Sequence, residues 1–543
     1  MHFLFFNTFL LCSKNLRPLD SVIENKSAIR FCWDIEWLLQ LLGKKFKNIL
    51  YVVLVRGRAK LISKLLGNPS IGKMILNFKE GRVFEPYEVS VEVARKKQEE
   101  SLSRKFARME KTGIGKKLGV NQRTKLEEIP VTDYNFYEGF FRKPSADAFM
   151  YPLEEYERAR TSGTSGAEKW FMIPKLSLVK CWETGFVNIM AMFHDGEKIT
   201  FRYGDVVYVN VAPQPFVGGF MLDYAGRETY GIIKLVPNLN LSFSDKIQFF
   251  IRNYDKLDGA VMLASTLVSQ IMHQIDGTIT LKGLITLDSQ IAEMYTNKIR
   301  DFTGILPKTI YGTTETLNCT ISSVQYPLGF FFDWKRGIFE FCPAGKDEPQ
   351  KMSSTNLTSL DKVEVGKIYN LIFTSLEGEL TRYLIDDTFQ CIARRDDVLS
   401  IDFPIFKFSS RFGKRLSIQN FTRIDEAELL SALRDINVSF IDFTARVEEE
   451  NGSEYLALYL EKTGPISEKE LKQSLNDILY KVDVDYRNVV DFFGYIPIKI
   501  YFVPRGTFLK YMEEKIASWG KVERINMKQE GFQIILESLK RQE

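Results

Sequence analysis

Nine consecutive residues in this chain combine the residue types that bind phosphate. They are Thr161, Ser162, Gly163, Thr164, Ser165, Gly166, Ala167, Glu168 and Lys169, and we call them the phosphate loop. Glycines let a backbone turn tightly and direct its N–H groups at an anion, and small hydroxyls add donors without bulk. The terminal lysine supplies a compact positive charge. The stretch therefore predicts a phosphate cradle, with a serine- and glycine-rich loop of no function as the alternative.

A second glycine–lysine stretch lies upstream, at residues 67–74 (GNPSIGKM). It nearly matches the GxxxxGK[ST] pattern of phosphate-binding loops, but Met74 stands where the magnesium-binding hydroxyl belongs. No clear strand precedes it. We interpret this stretch as a chance match, so Lys73 is not expected to bind phosphate.

Two acidic motifs lie downstream of the phosphate loop. YGTTE at residues 311–315 follows a short predicted strand at 307–310, and RYLIDD at 382–387 ends in Asp386 and Asp387. Sheets that alternate with helices place ligand-binding loops at the carboxyl ends of their strands. YGTTE is therefore a candidate ligand-binding loop.

The segments around these motifs alternate between strand and helix patterns. Runs rich in β-branched and aromatic residues predict strands at 205–211, 260–263, 337–341 and 368–374. Helices are predicted at 91–110, 244–254 and 288–301. In the first helix, Leu102 and Phe106 share one face of an otherwise charged, solvated surface, and glycines follow its end. The alternation predicts an α/β fold.

The pattern changes near residues 411–414, where we place a domain boundary with a hinge at Gly413. Beyond it the chain is βαβ-like. The features that indicate this are a strand at 454–461, a helix opened by a capping box of Ser467 and Glu470, and a strand at 498–503. A turn at 504–507 then leads into a final helix and residues 521–524. This length suffices for a small α+β domain.

Composition excludes several classes of function. The chain has 543 residues, of which 45% are hydrophobic and 26% charged, as in a globular protein of about two or three domains. A net charge of +4 is too small to indicate a nucleic-acid partner. The six cysteines form no CxxC pair and there are only three histidines, so we expect neither a zinc site, a disulfide framework nor a His-rich metal centre. A reducing, cytoplasmic compartment is predicted.

Two apolar runs precede the first motif. Residues 3–12 follow no cationic residue, so a signal peptide is not predicted. Residues 49–55 lie between basic flanks and are far shorter than the ~18 residues that span a bilayer. A buried strand or helix is expected there, with peripheral membrane contact as the minor alternative.

The order of these pieces resembles the adenylate-forming superfamily and, within it, the plant auxin-responsive family of acyl acid–amido synthetases (Gretchen Hagen three). The motifs that carry the resemblance are TSGTSGAEK, YGTTE and RYLIDD, followed by a small C-terminal domain with a late lysine. Further similar stretches are RKKQEESL at 95–102, TGIGKKLG at 112–119, VTDYNFYEGF at 131–140, FEFCP at 339–343, VGKIYNLIFT at 365–374, LSI at 416–418, PRGTF at 504–508 and KVER at 521–524.

The resemblance covers about residues 80–525 and implies a domain organisation. A large adenylate-forming domain of mixed sheets flanked by helices would occupy 76–411, and a small α+β lid domain would occupy 412–543. Residues 1–75 would be an unassigned extension.

The resemblance also implies roles for named residues. The ATP-binding set would be Thr161, Ser162, Gly163, Thr164, Ser165, Gly166, Thr314, Asp387 and Arg411, and the catalytic set Lys169, Glu315 and Lys521. The phosphate loop would hold the β- and γ-phosphates of ATP as pyrophosphate leaves. Glu315 would help bind Mg²⁺, and Asp387 would accept both ribose hydroxyls. The alternatives without a role in ATP binding are that Glu315 is a glutamate in the first turn of a helix and that Asp387 is an exposed turn residue.

Two basic residues would act from the domain boundary and beyond it. Arg411 would approach the nucleotide from the hinge, although a surface arginine is the alternative. Lys521 would complete the site for adenylation when the C-terminal domain closes over it. Lys510 and Lys515 are rivals in a charged helix.

Some positions depart from the family's pattern. Glu168 and Glu523 stand where proline is usual, and Asp386 replaces a glycine. Residues 286–289 (TLDS) replace the Gly-Gly-Glu that often contacts adenine. A basic residue expected after LSI would be Arg423 only with a one-residue shift.

The implied function is a ligase that uses ATP and Mg²⁺ to adenylate a small carboxylic acid and then passes the acyl group to an amine. The first alternative is a phenylacetate–CoA ligase-like enzyme that forms a thioester with coenzyme A. The second is a degenerate nucleotide-binding protein without turnover.

Overall fold

The computed structural model describes residues 82–161, 169–228, 232–344, 357–411, 415–418, 422–450, 453–514 and 522–540. The predictions for residues 1–75 lie outside these ranges. All elements below belong to one compact unit, which comprises Val83–Phe201, Asp205–Thr229 and Ile233–Glu543. None of the helices in the described ranges is both long and apolar enough to cross a membrane.

The described part begins with three helices and a hairpin. These are α1 (Val91–Met109), α2 (Gly113–Leu118), α3 (Tyr134–Arg142), β1 (Tyr156–Arg160) and β2 (Trp170–Pro174). The predicted helix at 91–110 is confirmed as α1, and its Leu102 and Phe106 are buried. The expectation that its charged residues are all solvated is wrong for Lys105, which is buried. Its ammonium donates hydrogen bonds to the carbonyls of Ser375 and Leu380 and to the hydroxyl of Thr381, and these partners replace water.

A parallel sheet of five strands follows, in the order β4-β3-β5-β6-β7. Its elements are α4 (Lys175–Met192), β3 (Val206–Val209), α5 (Val217–Glu228), β4 (Lys234–Val236), α6 (Phe243–Asn253), β5 (Gly259–Met262), α7 (Ala264–Thr266), β6 (Gly283–Thr286), α8 (Ser289–Met294), α9 (Thr296–Thr303) and β7 (Lys308–Thr309). The alternation confirms the predicted α/β fold. The helix predicted at 288–301 is instead two helices that meet at Tyr295, whose backbone leaves the helical region while its hydroxyl bonds to the distant Phe440.

An antiparallel sheet of seven strands packs large aromatic side chains, in the order β10-β11-β16-β15-β14-β12-β13. A small hairpin of β8 (Gly312–Thr313) and β9 (Leu317–Asn318) precedes it. The seven strands are β10 (Thr320–Ser322), β11 (Phe330–Phe332), β12 (Gly337–Pro343), β13 (Thr358–Ser359), β14 (Ile368–Ser375), β15 (Tyr383–Ala393) and β16 (Ile405–Arg411). The strands predicted at 337–341 and 368–374 are confirmed as β12 and β14.

The smaller C-terminal domain contains a sheet of three strands, β19-β20-β21. Its elements are β17 (Arg415–Ile418), β18 (Thr422–Asp425), α10 (Glu426–Asp435), β19 (Phe440–Glu450), β20 (Ser453–Lys462), α11 (Glu468–Val482), α12 (Val484–Phe493), β21 (Ile498–Phe502), α13 (Thr507–Glu514) and α14 (Gln529–Lys540). The parallel pairing of β20 with β21 confirms the βαβ prediction, and the Ser467–Glu470 capping box is present. The prediction that the helix after Pro504 is the last one is wrong, because α14 follows it.

The C-terminal domain and the parallel sheet share one continuous cluster of buried apolar residues. In the large domain it includes Phe250 and Ile299, and in the C-terminal domain Leu433 and Phe443. Burial of apolar surface stabilises such an arrangement by about 25 cal/mol per Å². The two domains are therefore packed against each other and not merely linked.

Candidate active site

The phosphate loop connects the two strands of a hairpin. Arg160 of β1 lies opposite Trp170 of β2, and the Thr161 N–H donates to the Lys169 carbonyl over 3.0 Å. This pairing brings the two ends of the predicted loop together. The residues between them, including the predicted Ser162, Gly163, Thr164, Ser165 and Gly166, lie outside the described residues, as does Glu168.

Contacts from Tyr134 and Pro215 hold the base of this hairpin in place. The Trp170 N–H donates to the Tyr134 hydroxyl over 3.0 Å, and the Arg160 N–H donates to the Pro215 carbonyl over 3.1 Å. The Lys169 ammonium lies 5.5 Å from the centre of the Tyr134 ring, a cation–π distance. Tyr134 thus positions both the strand and the lysine, a role that its sequence context did not reveal.

A cavity of about 380 Å³ lies beside the loop. The polar residues that line it include Thr161, Lys169, Thr313, Thr314, Glu315 and Asp387, together with Asn188, Asn210 and Asn318. The structure therefore brings together five of the predicted site residues: Thr161, Lys169, Thr314, Glu315 and Asp387. The remaining wall is mainly apolar and includes Trp182, Ile189, Val209, Phe216, Met221 and Leu235. The sequence analysis did not identify these apolar residues as cavity residues. They lie on α4, β3, α5 and β4 or, for Phe216, just before α5, and no local motif marks them.

Glu315 occupies the turn between β8 and β9, so the alternative of a helix-first-turn glutamate is wrong. A Cβ at Gly312 would lie 2.6 Å from the Leu317 carbonyl oxygen, so this turn needs glycine for close backbone approach. Burial raises the pKa of Glu315, and the charge of Lys169 opposes this rise. Lys169 and Glu315 therefore act on each other across the cavity.

Asp387 lies within β15 and is only 4% exposed, so the alternative of an exposed turn aspartate is wrong. The Tyr311 hydroxyl donates to its Oδ2 over 2.8 Å. Across the antiparallel pair of β15 and β16, Asp387 stands opposite Arg411. Tyr311, the first residue of YGTTE, is thus hydrogen-bonded to Asp387, the last residue of RYLIDD. Arg411 lies in the neighbouring strand.

A second cavity, of about 150 Å³, meets the first at Thr313 and Asp387. Tyr311 and Phe408 line it, together with Asp288 and Ser289 of the TLDS stretch. Asp288 accepts hydrogen bonds from the Ala264 and Ser265 N–H groups. The departure from Gly-Gly-Glu therefore places a carboxylate at the N-terminus of α7, the short helix that follows β5.

The C-terminal domain closes the second cavity with Glu426, Val522, Glu523 and Arg524. The predicted Lys521 directly precedes these residues but lies outside the described ones, as do Gly413 and Lys515. Lys510 lies on α13, where its ammonium is 3.4 Å from Glu514, and it lines neither cavity. The residues directly after Lys521 therefore line the second cavity, whereas Lys510 lines neither cavity.

Two carboxylates, Glu315 and Asp387, line the first cavity, and Asp387 already accepts a hydrogen bond from Tyr311. Among the described residues, no group of three or more His, Cys, Asp or Glu is placed to hold a metal ion. Protein sites for Mg²⁺ in nucleotide enzymes use one or two carboxylates plus phosphate oxygens and water. Glu315 on the cavity wall fits this pattern, since the phosphates of ATP would supply the other ligands.

Residues 330–411, from the start of β11 to the end of β16, match the model of the GH3 family central domain. The chain carries a GH3 domain. Its curated GH3 relatives include the jasmonoyl--L-amino acid synthetase GH3.5 of Oryza sativa subsp. japonica, 26% identical over 258 residues. That match covers 42% of this chain and 42% of the relative. The indole-3-acetic acid-amido synthetase GH3.4 of Arabidopsis thaliana is 27% identical over 252 residues, or 41% of this chain and 39% of that protein.

These matches confirm the resemblance to the auxin-responsive family, although the chain spans only about two fifths of the length of the curated relatives it matches. A solved GH3.15 acyl acid amido synthetase superimposes with a TM-score of 0.66 at 14% identity, covering 87% of this chain and 97% of that one. A 2-hydroxyisobutyryl-CoA ligase gives a TM-score of 0.54 at 14% identity, covering 82% and 92%. The chain therefore has the fold of these adenylate-forming enzymes.

Proposed function

We propose that this chain is an AMP-forming ligase that adenylates a carboxylic acid and transfers the acyl group to an amine. The observation that carries the proposal is the meeting of two cavities at Thr313 and Asp387, with Lys169 and Glu315 on the wall of the first. One cavity would hold the acid and the other the nucleoside of ATP. The α-phosphate would then lie where they meet.

The reaction would proceed in two steps. First, a carboxylate oxygen attacks the α-phosphorus of ATP, the bond to the pyrophosphate oxygen breaks, and an acyl adenylate forms. Second, the amine nitrogen attacks the acyl carbon and loses a proton, while AMP leaves and an amide remains. The GH3 domain favours an amine over the thiol of coenzyme A.

The first cavity supports an acid with an apolar body and a single carboxylate. Among the described residues of its wall, Lys169 is the one cation, and most of the other lining side chains are apolar. A charge at the apolar side would be desolvated without a partner, which costs several kcal/mol. We therefore expect monocarboxylic acids with hydrocarbon or aromatic bodies to be preferred over dicarboxylates.

The roles of individual residues follow from their places on the two cavities. Lys169 and the phosphate loop would stabilise the charge that develops on the leaving pyrophosphate. Asp387, fixed by Tyr311, would accept hydrogen bonds from the ribose. Bound magnesium, held by Glu315, would neutralise phosphate charge. Lys521 would bring a cation to the attacking carboxylate and the α-phosphate.

The four described cysteines, Cys181, Cys319, Cys342 and Cys391, are free thiols. They support the predicted reducing compartment, and we propose a cytoplasmic location on that basis.

Product analysis tests the choice of acceptor. The protein is incubated with ATP, Mg²⁺ and a library of carboxylic acids, and pyrophosphate release identifies the acids that are used. Each active acid is then tested with a mixture of amino acids and, separately, with coenzyme A. A mass equal to acid plus amino acid minus water is expected; a thioester as the main product would overturn the amide assignment.

A further inference from the structure

One strand of the C-terminal domain connects the large domain to the segment that follows Lys521. This strand, β19, begins at Phe440, and both backbone polar groups of that residue bond to a tyrosine of the large domain. The Tyr295 hydroxyl donates to the Phe440 carbonyl over 2.7 Å and accepts from the Phe440 N–H at 3.3 Å. Their rings also meet edge to face, with centroids 6.3 Å apart. Tyr295 thus fixes the first residue of β19.

A few residues further along, β19 holds the segment after Lys521. The Ala445 N–H donates to the Arg524 carbonyl over 2.7 Å, and the Asn526 N–H donates to the Ala445 carbonyl over 2.8 Å. The Thr444 hydroxyl donates to the Glu523 carbonyl over 2.7 Å. The segment therefore lies beside β19, joined to it by an isolated parallel bridge between Ala445 and Ile525.

Side-chain charges secure the same alignment. The buried Arg524 guanidinium binds both oxygens of Asp442, at 2.7 and 3.2 Å, and donates to Glu426 over 2.9 Å. Such two-pronged pairing between guanidinium and carboxylate restricts geometry strongly. Because Glu426 and Arg524 both line the second cavity, the position of β19 sets where this wall of the cavity lies.

A weaker contact lies beside Tyr295. The carboxylate of Glu293, on α8, lies 3.6 Å from Arg434 of α10 and also pairs with Lys407. The side chains of Glu293 and Arg434 are 32% and 46% exposed, so this pair contributes at most about 1 kcal/mol. Tyr295, which satisfies two backbone groups at once, is the stronger of the two contacts.

We infer that Tyr295 is a positioning residue for adenylation, which acts by docking β19 so that residues 522–524, which follow Lys521, line the nucleotide cavity. The inference rests on the proposed function for its effect on activity but on geometry alone for its effect on position. Nothing in the sequence marks this tyrosine, and it touches neither cavity in the described structure.

Tyr295→Phe is the test, since it keeps the ring and removes only the hydroxyl. The matched control is Tyr495→Phe, which removes a hydroxyl that donates to the Glu454 carbonyl over 2.9 Å within the C-terminal domain. ATP–pyrophosphate exchange should fall on the order of tenfold in Tyr295→Phe, because the Phe440 N–H and C=O lose their partner. Consumption of a supplied acyl adenylate should change less than about twofold, and Tyr495→Phe should retain wild-type exchange.

A double variant shows whether the effect passes through Lys521. If it does, adding Tyr295→Phe to Lys521→Ala lowers the residual exchange rate no further. A tenfold loss in the Lys521→Ala background, or an equal loss of both half-reactions, would overturn the positioning role. Equal effects of Tyr295→Phe and Tyr495→Phe would do the same.

Amide hydrogen exchange tests the position without any activity. In Tyr295→Phe, exchange should rise at residues 440–445 and 522–527, and it should not rise there in Tyr495→Phe. Unchanged protection at residues 522–527 would refute the docking of this segment by Tyr295, whatever the enzyme assays show. A wild-type protein without pyrophosphate exchange would instead refute the proposed function and leave this measurement valid.

Discussion

The Tyr311 hydroxyl donates to Asp387 Oδ2 over 2.8 Å and joins the YGTTE turn to strand β15. Both residues are buried, and burial together with the Asp387 charge raises the pKa of Tyr311 well above its ordinary value. The tyrosine therefore remains a neutral donor over the physiological range of pH. It fixes the carboxylate that we propose accepts hydrogen bonds from the ribose of ATP.

Asp387→Ala should chiefly weaken ATP binding. Hydrogen bonds to a charged acceptor contribute about 1.5–3 kcal/mol each, so the Kd for ATP should rise by about 10- to 100-fold. Titration calorimetry measures this, with Asp397→Ala as a control at an exposed carboxylate. If Asp387→Ala binds ATP as tightly as the wild type, the ribose assignment is wrong.

Lys169→Ala should lower the rate of adenylation by about 10²- to 10³-fold, since it removes a preorganised cation from developing negative charge. Ser165→Ala should lower it less, because a neutral donor is lost. Lys73→Ala, in the rejected upstream loop, should leave the rate unchanged. Wild-type exchange in both loop variants would remove the phosphate loop from the mechanism.

Glu315→Gln should increase the magnesium concentration that half-maximal activity requires, because a neutral amide is a poor Mg²⁺ ligand. An unaltered magnesium requirement would contradict the assignment.

Lys521→Ala should lower ATP–pyrophosphate exchange to a small residual rate, while a supplied acyl adenylate is still consumed in the presence of an acceptor. The cation is needed where the carboxylate and the α-phosphate approach each other, and not when the adenylate is broken down. Lys510→Ala is the control, since that lysine pairs with Glu514 on α13. Loss of exchange in Lys510→Ala alone would show that the wrong lysine is assigned.

The buried Lys105 predicts a pH dependence of stability. Desolvation lowers its pKa from 10.5 to about 7, although the nearby charges of Glu379 and Glu377 act to raise that pKa. Between these two pH values the unfolded chain binds the proton that the folded chain lacks, so stability rises with pH. The slope is up to about 1.4 kcal/mol per pH unit. Denaturant unfolding of the wild type and Lys105→Met should show this slope only in the wild type; parallel curves would contradict it.

The sequence predicted single strands and helices better than it predicted contacts between residues that are far apart in the chain. Periodicity was sufficient for β3, β5, β12, β14 and α1. The family resemblance of the motifs implied that Lys169, Glu315 and Asp387 belong to one site, and all three line one cavity. The sequence could not show Trp182 or Phe216 as cavity residues, since their meeting depends on the packing of α4 against α5. Nor could it show that Tyr295 interrupts a helix, because its partner Phe440 lies 145 residues away.

Acid-dependent exchange of pyrophosphate into ATP tests the central claim most directly. The wild-type protein is incubated with ATP, labelled pyrophosphate and Mg²⁺, with and without an apolar monocarboxylic acid and without any acceptor. The account predicts that label enters ATP only when both the acid and Mg²⁺ are present, since reversal of adenylation requires both. Exchange with no acid, or no exchange with any acid of the library while ATP still binds, would contradict it.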